Sequence, residues 1–228
     1  MARINYANIM SKYRNLGKGG VRLTQSSLYL TKPIVATQTT YTFDILETQT
    51  ATQQADEIRL NLNDEFICSA LGLYLEGELL TGMGVATGIK RLFTYAPVEL
   101  NGATNSAVEN FYNGQFQISV NNIVFLDKWD TRKHEFIPQT QFVNFLANTS
   151  SATQSQQQMS KAGMFPVEPT LTLSGAKKNQ LVLALPTAIS PVTITFTDDA
   201  SASVSYRISR VACLMRGLNA QNGATFQS

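Results

Sequence analysis

The single histidine, His134, is the residue of this sequence best suited to acid–base chemistry. It lies in the segment Lys-Trp-Asp-Thr-Arg-Lys-His-Glu, residues 128–135, where mixed charges surround Trp129. A Ser-His-Asp site could use His134 and Asp130, because an imidazole oriented by a carboxylate can take a proton from a serine hydroxyl. No Gly-x-Ser-x-Gly segment accompanies them. The segment is therefore predicted to be a solvated turn between strands, whose charges form surface or intersubunit pairs.

Metal-binding and phosphate-binding patterns are also weak. One histidine and two distant cysteines cannot supply a usual zinc set. Asp198 and Asp199 could bind calcium together with Asp44 or Glu168, but no Asp-x-Asp-x-Asp-Gly loop is present, and a hairpin turn is the expected role. The glycine-rich stretch 81–90 lacks the spacing of a phosphate-binding loop and is expected to connect strands. The sequence thus predicts no enzyme, no cofactor and no metal.

The composition is unusual in its low charge. Only 15% of the 228 residues are charged, compared with roughly 25% in an ordinary soluble domain. Hydrophobic residues make up 43%, which is enough for a core and excludes a chain that is disordered overall. The first 20 residues lack the apolar segment of a secretory signal. Cys68 and Cys213 are accordingly predicted to be buried free thiols in a reducing cytoplasm.

The basic residues are concentrated at the N-terminus. Six of the 18 Lys and Arg residues precede Asp44, the first acid, and they are Arg3, Lys12, Arg14, Lys18, Arg22 and Lys32. Residues 1–20 also have helical periodicity, because Ile9, Tyr13 and Leu16 share one stripe. Two interpretations of this basic amphipathic arm stay open. Arg3, Lys12, Arg14, Lys18 and Arg22 face a membrane or nucleic acid, or the helix packs on its own domain.

Beyond Gly20 the sequence predicts strands. The segment 57–62 alternates, with Ile58, Leu60 and Leu62 on a buried face and Glu57, Arg59 and Asn61 on a solvent face. The segment 66–79 is continuously apolar, as expected of a central strand covered on both faces. Further strands are predicted at 41–46, 89–95, 115–126, 136–137, 170–174, 180–185, 192–197 and 203–215, and one helix at 105–112. The pattern indicates an all-β sandwich or barrel.

Two uncharged low-complexity segments, 48–55 and 148–160, are predicted to be surface loops or linkers. The second divides the chain into an arm at 1–20, a first β-barrel at 21–147, a linker at 148–160 and a second β-barrel at 161–228. A faint sequence echo supports a duplicated β-domain. The residues 43–46 followed by 57–62 resemble 170–173 followed by 180–185.

Three stretches together resemble one family: DEFICSALGLYL (64–75), FYNGQFQISVNNIVFLDKWD with FIPQTQ following (111–141), and LTLSGAKKNQLVLALP (171–186). They look like the major capsid proteins of small tailless icosahedral bacteriophages that contain a membrane, the double jelly-roll lineage. The resemblance implies two tandem jelly-roll β-barrels, trimers with a pseudo-hexagonal outline, and an N-terminal segment near the inner membrane. The alternative is a single jelly roll with elaborations, because fewer than sixteen strands are predicted.

The expected function is that of a structural virion protein, a capsid subunit that assembles into an icosahedral shell over a membrane or genome. Its expected partners are copies of itself, forming a homotrimer and then a shell, other virion proteins such as a penton, and lipid headgroups or packaged nucleic acid at the arm. The expected location is the virion, assembled in the bacterial cytoplasm. Low charge suits subunits that bury much surface against one another, because desolvating charges is costly.

Three alternatives stay open. The first is a penton or minor capsid protein. The second is a receptor-binding or carbohydrate-binding β-sandwich, such as a spike, for which Trp129 and Tyr112 would form the binding face. The third is a β-sandwich hydrolase in which Asp130, His134 and a serine converge.

Overall fold

The fold was determined as a computed structural model, which describes residues 6–15, 20–47, 56–94, 109–135, 163–197 and 203–224. Helix α1 and a short 3₁₀ helix accompany ten strands. Their bounds are α1 Tyr6–Asn15, β1 Arg22–Pro33, β2 Thr40–Phe43, β3 Glu65–Leu80, β4 Ala86–Phe93, β5 Gln115–Val120, β6 Ile123–Asp130, the 3₁₀ helix Thr131–His134, β7 Met164–Ser174, β8 Asn179–Ala184, β9 Val192–Thr197 and β10 Ser203–Gln221. Residues 109–112 are helical. The predicted all-β class is confirmed.

The larger sheet has six strands in the order β1-β10-β3-β4, with β7 also paired to β3 and β9 to β10. Its two central strands, β3 and β10, pair with each other. Each is long enough to pair along its other edge with two further strands, one after the other. The first part of β3 pairs with β7 and the second part with β4, while β10 pairs with β9 and then β1. The residues of β3 from Leu71 to Gly77 are all buried. The prediction of a central strand covered on both faces is confirmed.

The smaller sheet has four strands in the order β2-β8-β5-β6. It packs on the larger sheet through one hydrophobic cluster, to which β3 contributes Leu71 and Leu73 and β5 contributes Phe116 and Ile118. Phe116 meets Phe43 of β2 edge to face, with ring centroids 6.4 Å apart. Each such fully buried side chain contributes about 1.5–3 kcal/mol, so this shared core is the main source of stability.

The strand pairing follows one long folded hairpin. When β4 and β9 are set aside, eight strands remain, and the first pairs with the last, the second with the seventh, the third with the sixth and the fourth with the fifth. In this numbering β1 is first and β10 last, and β2 pairs with β8. Pairs β3 with β7 and β5 with β6 complete the set. Successive strands of this set alternate between the two sheets, except that β5 and β6 both belong to the smaller sheet.

Strands from both predicted barrels share both sheets. Strands β7, β8 and β10, from residues 161–228, pair with β3, β5 and β1, from residues 21–147. Their apolar side chains belong to a single cluster. Two tandem barrels are therefore not confirmed, because the described strands of 161–228 have no core separate from that of 21–147. The predicted linker at 148–160, the loop at 48–55 and the strand at 136–137 lie outside the described residues.

Both cysteines are buried and free, as predicted. They lie in the shared core on β3 and β10. Burial raises the pKa of the Cys68 thiol to about 12 and that of Cys213 well above its ordinary value. Both side chains therefore behave as small hydrophobic groups at neutral pH.

Candidate functional site

Helix α1 packs on the outer face of the six-stranded sheet, the face turned away from the shared core. Tyr13 of the helix is 2% exposed and forms a second, smaller hydrophobic cluster with buried residues of three strands, which are Val21 and Leu23 at β1, Ile67 of β3 and Ala220 of β10. Ile9, Met10 and Leu218 pack against this cluster. The predicted stripe of Ile9 and Tyr13 is therefore occupied by the protein's own sheet, whereas Leu16 lies outside the described residues.

A buried hydrogen bond fixes the helix to the sheet. The Tyr13 hydroxyl donates to Glu65 Oε2 at 2.7 Å, and Glu65 is 1% exposed at the start of β3. Burial, followed by this hydrogen bond to a carboxylate, raises the pKa of Tyr13 far above its ordinary value. The hydroxyl therefore stays protonated and remains a donor over the whole physiological range.

The predicted basic residues lie on the exposed side of this helix or beside it. Lys12 and Arg14 are exposed on α1, and Arg22 is exposed at the first position of β1. Arg3 and Lys18 lie outside the described residues. Among the described residues no ion pair involves Lys12, Arg14 or Arg22. The helix thus turns its apolar stripe to the sheet, as the second interpretation expects, and its positive charge to solvent. That these charges face a membrane or nucleic acid stays a prediction.

A second polar feature lies where residues 56–60 meet β1. Glu57 and Arg59 form a buried ion pair, with Arg59 Nη2 2.7 Å from Glu57 Oε2 and side chains only 3% and 2% exposed for Arg59 and Glu57. The other carboxylate oxygen of Glu57 accepts from the backbone N–H of Thr31 at 2.9 Å and from its hydroxyl at 2.7 Å. Burial raises the pKa of Glu57, but the hydrogen bonds from Thr31 and Arg59 outweigh it and hold the pKa below its ordinary value.

The ion pair continues into a network across the outer face of the six-stranded sheet. Arg210 Nη2 donates to the Thr31 hydroxyl at 2.7 Å, and Arg210 Nε lies 3.7 Å from Glu76 Oε1. The buried Glu76 also accepts from the Tyr29 hydroxyl and lies 3.4 Å from Lys90 Nζ. This network joins β1, β3, β4 and β10. Within the described residues its acids are paired with its bases, Glu57 with Arg59 and Glu76 with Lys90 and Arg210.

The sequence assigned the wrong faces to four of the residues 57–62. Glu57 and Arg59 are buried, whereas Ile58 and Leu62 are 50% and 56% exposed. Leu60 is buried and Asn61 is exposed, as predicted. The segment forms isolated bridges from Ile58 to Tyr29 and from Leu60 to Leu46 instead of a continuous strand. Alternation was visible in the sequence, but the pairing of Glu57 with Thr31 and Arg59 was not.

His134 is fully buried, at 0% exposed, in the 3₁₀ helix that follows β6. Its Nε2 accepts from the Trp129 indole N–H at 2.8 Å, so Nδ1 carries the proton and donates to the Gly163 carbonyl at 2.7 Å. Burial lowers the pKa of His134 to about 4. The predicted solvated turn is wrong for His134, although Asp130 and Arg132 do form the expected exposed pair, at 2.8 Å.

This geometry leaves no imidazole nitrogen for a catalytic triad, because Trp129 and Gly163 hold both of them. The proposed carbohydrate-binding pair also fails to form a surface. Tyr112 is 1% exposed and donates to the Phe93 carbonyl at 3.0 Å, while the Trp129 ring is covered by Lys133 Nζ at 4.2 Å from its centroid.

Metal ligands do not cluster in the part of the chain that the structure describes: no three His, Cys, Asp or Glu side chains are placed to hold an ion. Asp198 and Asp199 lie outside that part. In the same part, no helix is long and apolar enough to cross a membrane.

Comparison of the chain with protein-family models, with curated proteins and with solved structures finds no match in any of the three.

Proposed function

We propose that this chain is a structural virion protein, a jelly-roll capsid subunit that assembles with copies of itself into an icosahedral shell. The observation that carries the proposal is the strand pairing. Eight strands joined as one long hairpin, folded so that first meets last and second meets seventh across two sheets, have the connectivity of a jelly roll, an architecture common in viral capsids. Fold alone does not define function, so the remaining support comes from the surface.

The structure favours the single jelly roll with elaborations over two tandem jelly rolls. All described strands except β4 and β9 have a place in one eight-stranded pattern, and those two pair alongside the second part of β3 and the first part of β10. A single jelly roll also suits the penton or minor capsid role, which remains an alternative to the major capsid protein of a membrane-containing bacteriophage.

The surface supports self-assembly. Charged residues are few, at 15% of the chain, and large apolar side chains are exposed at the ends of the sheets, including Met83 at 93% and Ile123 at 63%. Patches of this kind in a soluble protein mark interaction sites. Symmetric assembly requires no catalytic group, and the polar clusters described above are internally paired.

The N-terminal helix supports an anionic contact on the inner side of the shell. Because Tyr13 holds the helix on the sheet, the exposed charges of Lys12 and Arg14 lie together on the solvent side of the helix. We assign Lys12, Arg14 and Arg22, with Arg3 and Lys18 in the same arm, to lipid headgroups or packaged nucleic acid. Assembly would take place in the bacterial cytoplasm and the product would be the virion.

The experiment is sedimentation of the purified full chain over a hundredfold range of concentration, followed by electron microscopy of the largest species. We expect concentration-dependent oligomers, trimers first, and closed or curved sheets of subunits at high concentration. A chain that remains monomeric throughout this range would refute the proposal.

A further inference from the structure

Helix α1 and the strands β1 and β10 lie together and carry only positive charge. Strand β1 pairs with β10, and α1 packs on both through the cluster around Tyr13. The helix contains two basic residues, β1 two and β10 three, and none of these elements contains Asp or Glu. Lys32 is paired with Asp44, and Arg210 is paired within the buried network described above. Among the described residues, no ion pair involves the other five bases.

Two arginines of β10 face the same side of the sheet as α1. Met215 belongs to the shared core, whereas Leu218 packs against the cluster under the helix. Because side chains alternate along a strand, Arg216 faces outward with Leu218. Ile208 is also in the shared core, so the neighbouring Arg207 faces outward too. Positions 207 and 216 are about 30 Å apart at about 3.3 Å per residue. Positive charge thus continues from the helix along β10, and we call this surface the basic face: Lys12, Arg14, Arg207 and Arg216.

The acids of β3, which pairs with β10, offset little of this charge. Glu65 is 1% exposed and accepts the hydrogen bond from Tyr13. Glu76 is 2% exposed and belongs to the buried network. Glu78 lies opposite Arg207 in the strand register and is partly exposed, but one of its oxygens accepts from the backbone N–H of residue 88. Only Glu78 therefore bears directly on the basic face, at the end far from the helix.

The other neighbouring elements also leave the balance positive. Strand β9, which pairs with β10 beside position 207, contains no charged residue. Near β1, Asp56 and Glu57 are each paired with a base. Asp64, just before β3, accepts hydrogen bonds from two asparagines at the end of β10. Beyond β3, the exposed Glu168 of β7 is followed by two lysines at 177–178.

The chemistry of this surface favours nucleic acid over a lipid bilayer. A helix that lies in a membrane interface buries its apolar side among the lipids, but the sheet already occupies the apolar side of α1. Among the described residues, none of the large exposed apolar side chains lies on α1, β1 or β10. Phosphates of nucleic acid require positive charge and hydrogen-bond donors. Ser11 and Gln25, both exposed, add a hydroxyl and an amide to the arginines and lysine.

We propose that the basic face binds the phosphate backbone of nucleic acid, with Arg207 and Arg216 extending onto the sheet the contact that α1 makes. No aromatic side chain is exposed among the described residues of α1, β1 and β10. Bases therefore have no surface there on which to stack, and binding is independent of sequence. This inference rests on the proposed anionic contact of the helix, selects nucleic acid as the partner, and adds two residues to it.

The test is fluorescence anisotropy of a labelled oligothymidine of about 20 nucleotides, titrated with the purified full chain at several salt concentrations. Each phosphate contact with a single strand contributes about −0.7 to the slope of log affinity against log salt concentration, so four contacts give a slope of about −3. Arg207→Gln combined with Arg216→Gln should make that slope shallower by about 1.4 and weaken binding about tenfold at low salt. Lys12→Gln combined with Arg14→Gln should have the same effect.

The matched control is Lys128→Gln combined with Lys133→Gln, which removes two exposed positive charges from β6 and the 3₁₀ helix, outside the basic face. It should bind the oligonucleotide like the wild type. Circular dichroism melts show whether each variant is folded. If the double arginine variant is not, Arg207→Gln alone replaces it and should make the slope shallower by about 0.7.

The outcomes separate this inference from the proposed function. Unchanged affinity in the arginine variant, or an equal loss in the control, overturns the contact. A wild type that binds phosphatidylglycerol vesicles but not the oligonucleotide makes lipid the partner and also overturns it. Sedimentation of the same proteins tests assembly independently. A wild type that binds the oligonucleotide but stays monomeric overturns the capsid proposal alone, whereas one that assembles without binding overturns only this inference.

Discussion

The buried His134 shows what a single histidine does in this protein. Its two ring nitrogens are both used, one accepting from Trp129 and one donating to the Gly163 carbonyl. Protonation would turn the acceptor into a donor that faces another N–H in a site without water access, which costs free energy. The residue is therefore a structural group that remains neutral near pH 7.

This state makes the free energy of unfolding depend on pH. The pKa of His134 is about 4 in the folded protein and about 6.5 as an exposed side chain. Between these values the unfolded chain binds a proton that the folded chain does not, so the stability falls as pH falls from 6.5 to 4, by up to about 3 kcal/mol. Urea unfolding of the wild type and of His134→Gln at pH 7 and pH 4.5 checks this. The variant should lose less stability on acidification, and parallel losses would contradict the assignment.

The buried pair of Glu57 and Arg59 supplies the second prediction at this scale. Arg59→Met leaves the Glu57 carboxylate without its charged partner, and unfolding free energy should fall by about 3–5 kcal/mol. The matched control is Arg132→Met, which breaks an exposed pair with Asp130 of the same sequence spacing and should leave the free energy of unfolding nearly unchanged. If denaturant titrations show the same loss of unfolding free energy for Arg59→Met and Arg132→Met, the Glu57 carboxylate is not shielded from water in the folded protein.

Sequence reasoning failed at these residues for a physical reason. A charged residue in an alternating segment is assigned to solvent because burying an unpaired charge is costly. Glu57 avoids that cost because it pairs with Arg59 and accepts hydrogen bonds from Thr31, which lies 26 residues earlier in the chain. Partners so distant in sequence are not visible in a local pattern.

At the scale of elements, hairpins and long strands differed in how well they could be predicted. The continuous apolar run of β3 predicts that strand from the sequence. The predicted strand at 192–197 has the observed bounds of β9, Val192–Thr197. The single strand predicted at 115–126 is instead the hairpin of β5 and β6. Asn121 and Asn122 both have positive φ, 50° and 64°, as a two-residue hairpin turn requires. The Asn-Asn pair was the available signal. Strand β1, rich in Ser, Thr and Gln, gave no alternation to recognise.

Helix α1 contacts the sheet through a small apolar cluster and through the buried hydrogen bond from Tyr13 to Glu65, and these two contacts predict separable effects. Tyr13→Phe keeps the apolar contact but leaves the buried Glu65 carboxylate without that donor, so unfolding free energy should fall by about 1–3 kcal/mol. Deletion of residues 1–18 should lower the melting temperature further while leaving the core of the two sheets folded, because the helix does not belong to that core.

Calorimetry of the two variants measures both effects. Lys12→Gln combined with Arg14→Gln is the matched control, since it removes the exposed charges of the same helix and should leave the melting temperature within about 1 °C or 2 °C, as surface substitutions do. A global loss of structure on deletion would show that the helix is required for the main core.

At the scale of the whole molecule, the all-β class followed from strand periodicity, but the number of barrels did not. A polar, uncharged segment at 148–160 resembles a linker whether it joins two domains or two strands of one domain. Only pairing between strands that are distant in the sequence distinguishes two domains from one. Strand β10, near the end of the chain, pairs with both β1 and β3 in its first half. The faint sequence echo between the halves reflects alternating strands, which look alike in any sandwich.

The interleaved sheets predict that neither half folds alone. A fragment of residues 161–228 contains β7–β10 but lacks β1, β3 and β5, so β7 and β8 would have no strand neighbour and β10 would retain only β9. Buried residues such as Leu173, Leu183 and Val211 would be exposed. We expect the fragment to show no cooperative melt by circular dichroism, whereas the full chain, cleaved within 148–160 by a protease site inserted there, should remain associated and melt as one unit. Independent folding of the fragment would restore the two-barrel interpretation, because a barrel with its own core does not need strands from the other half.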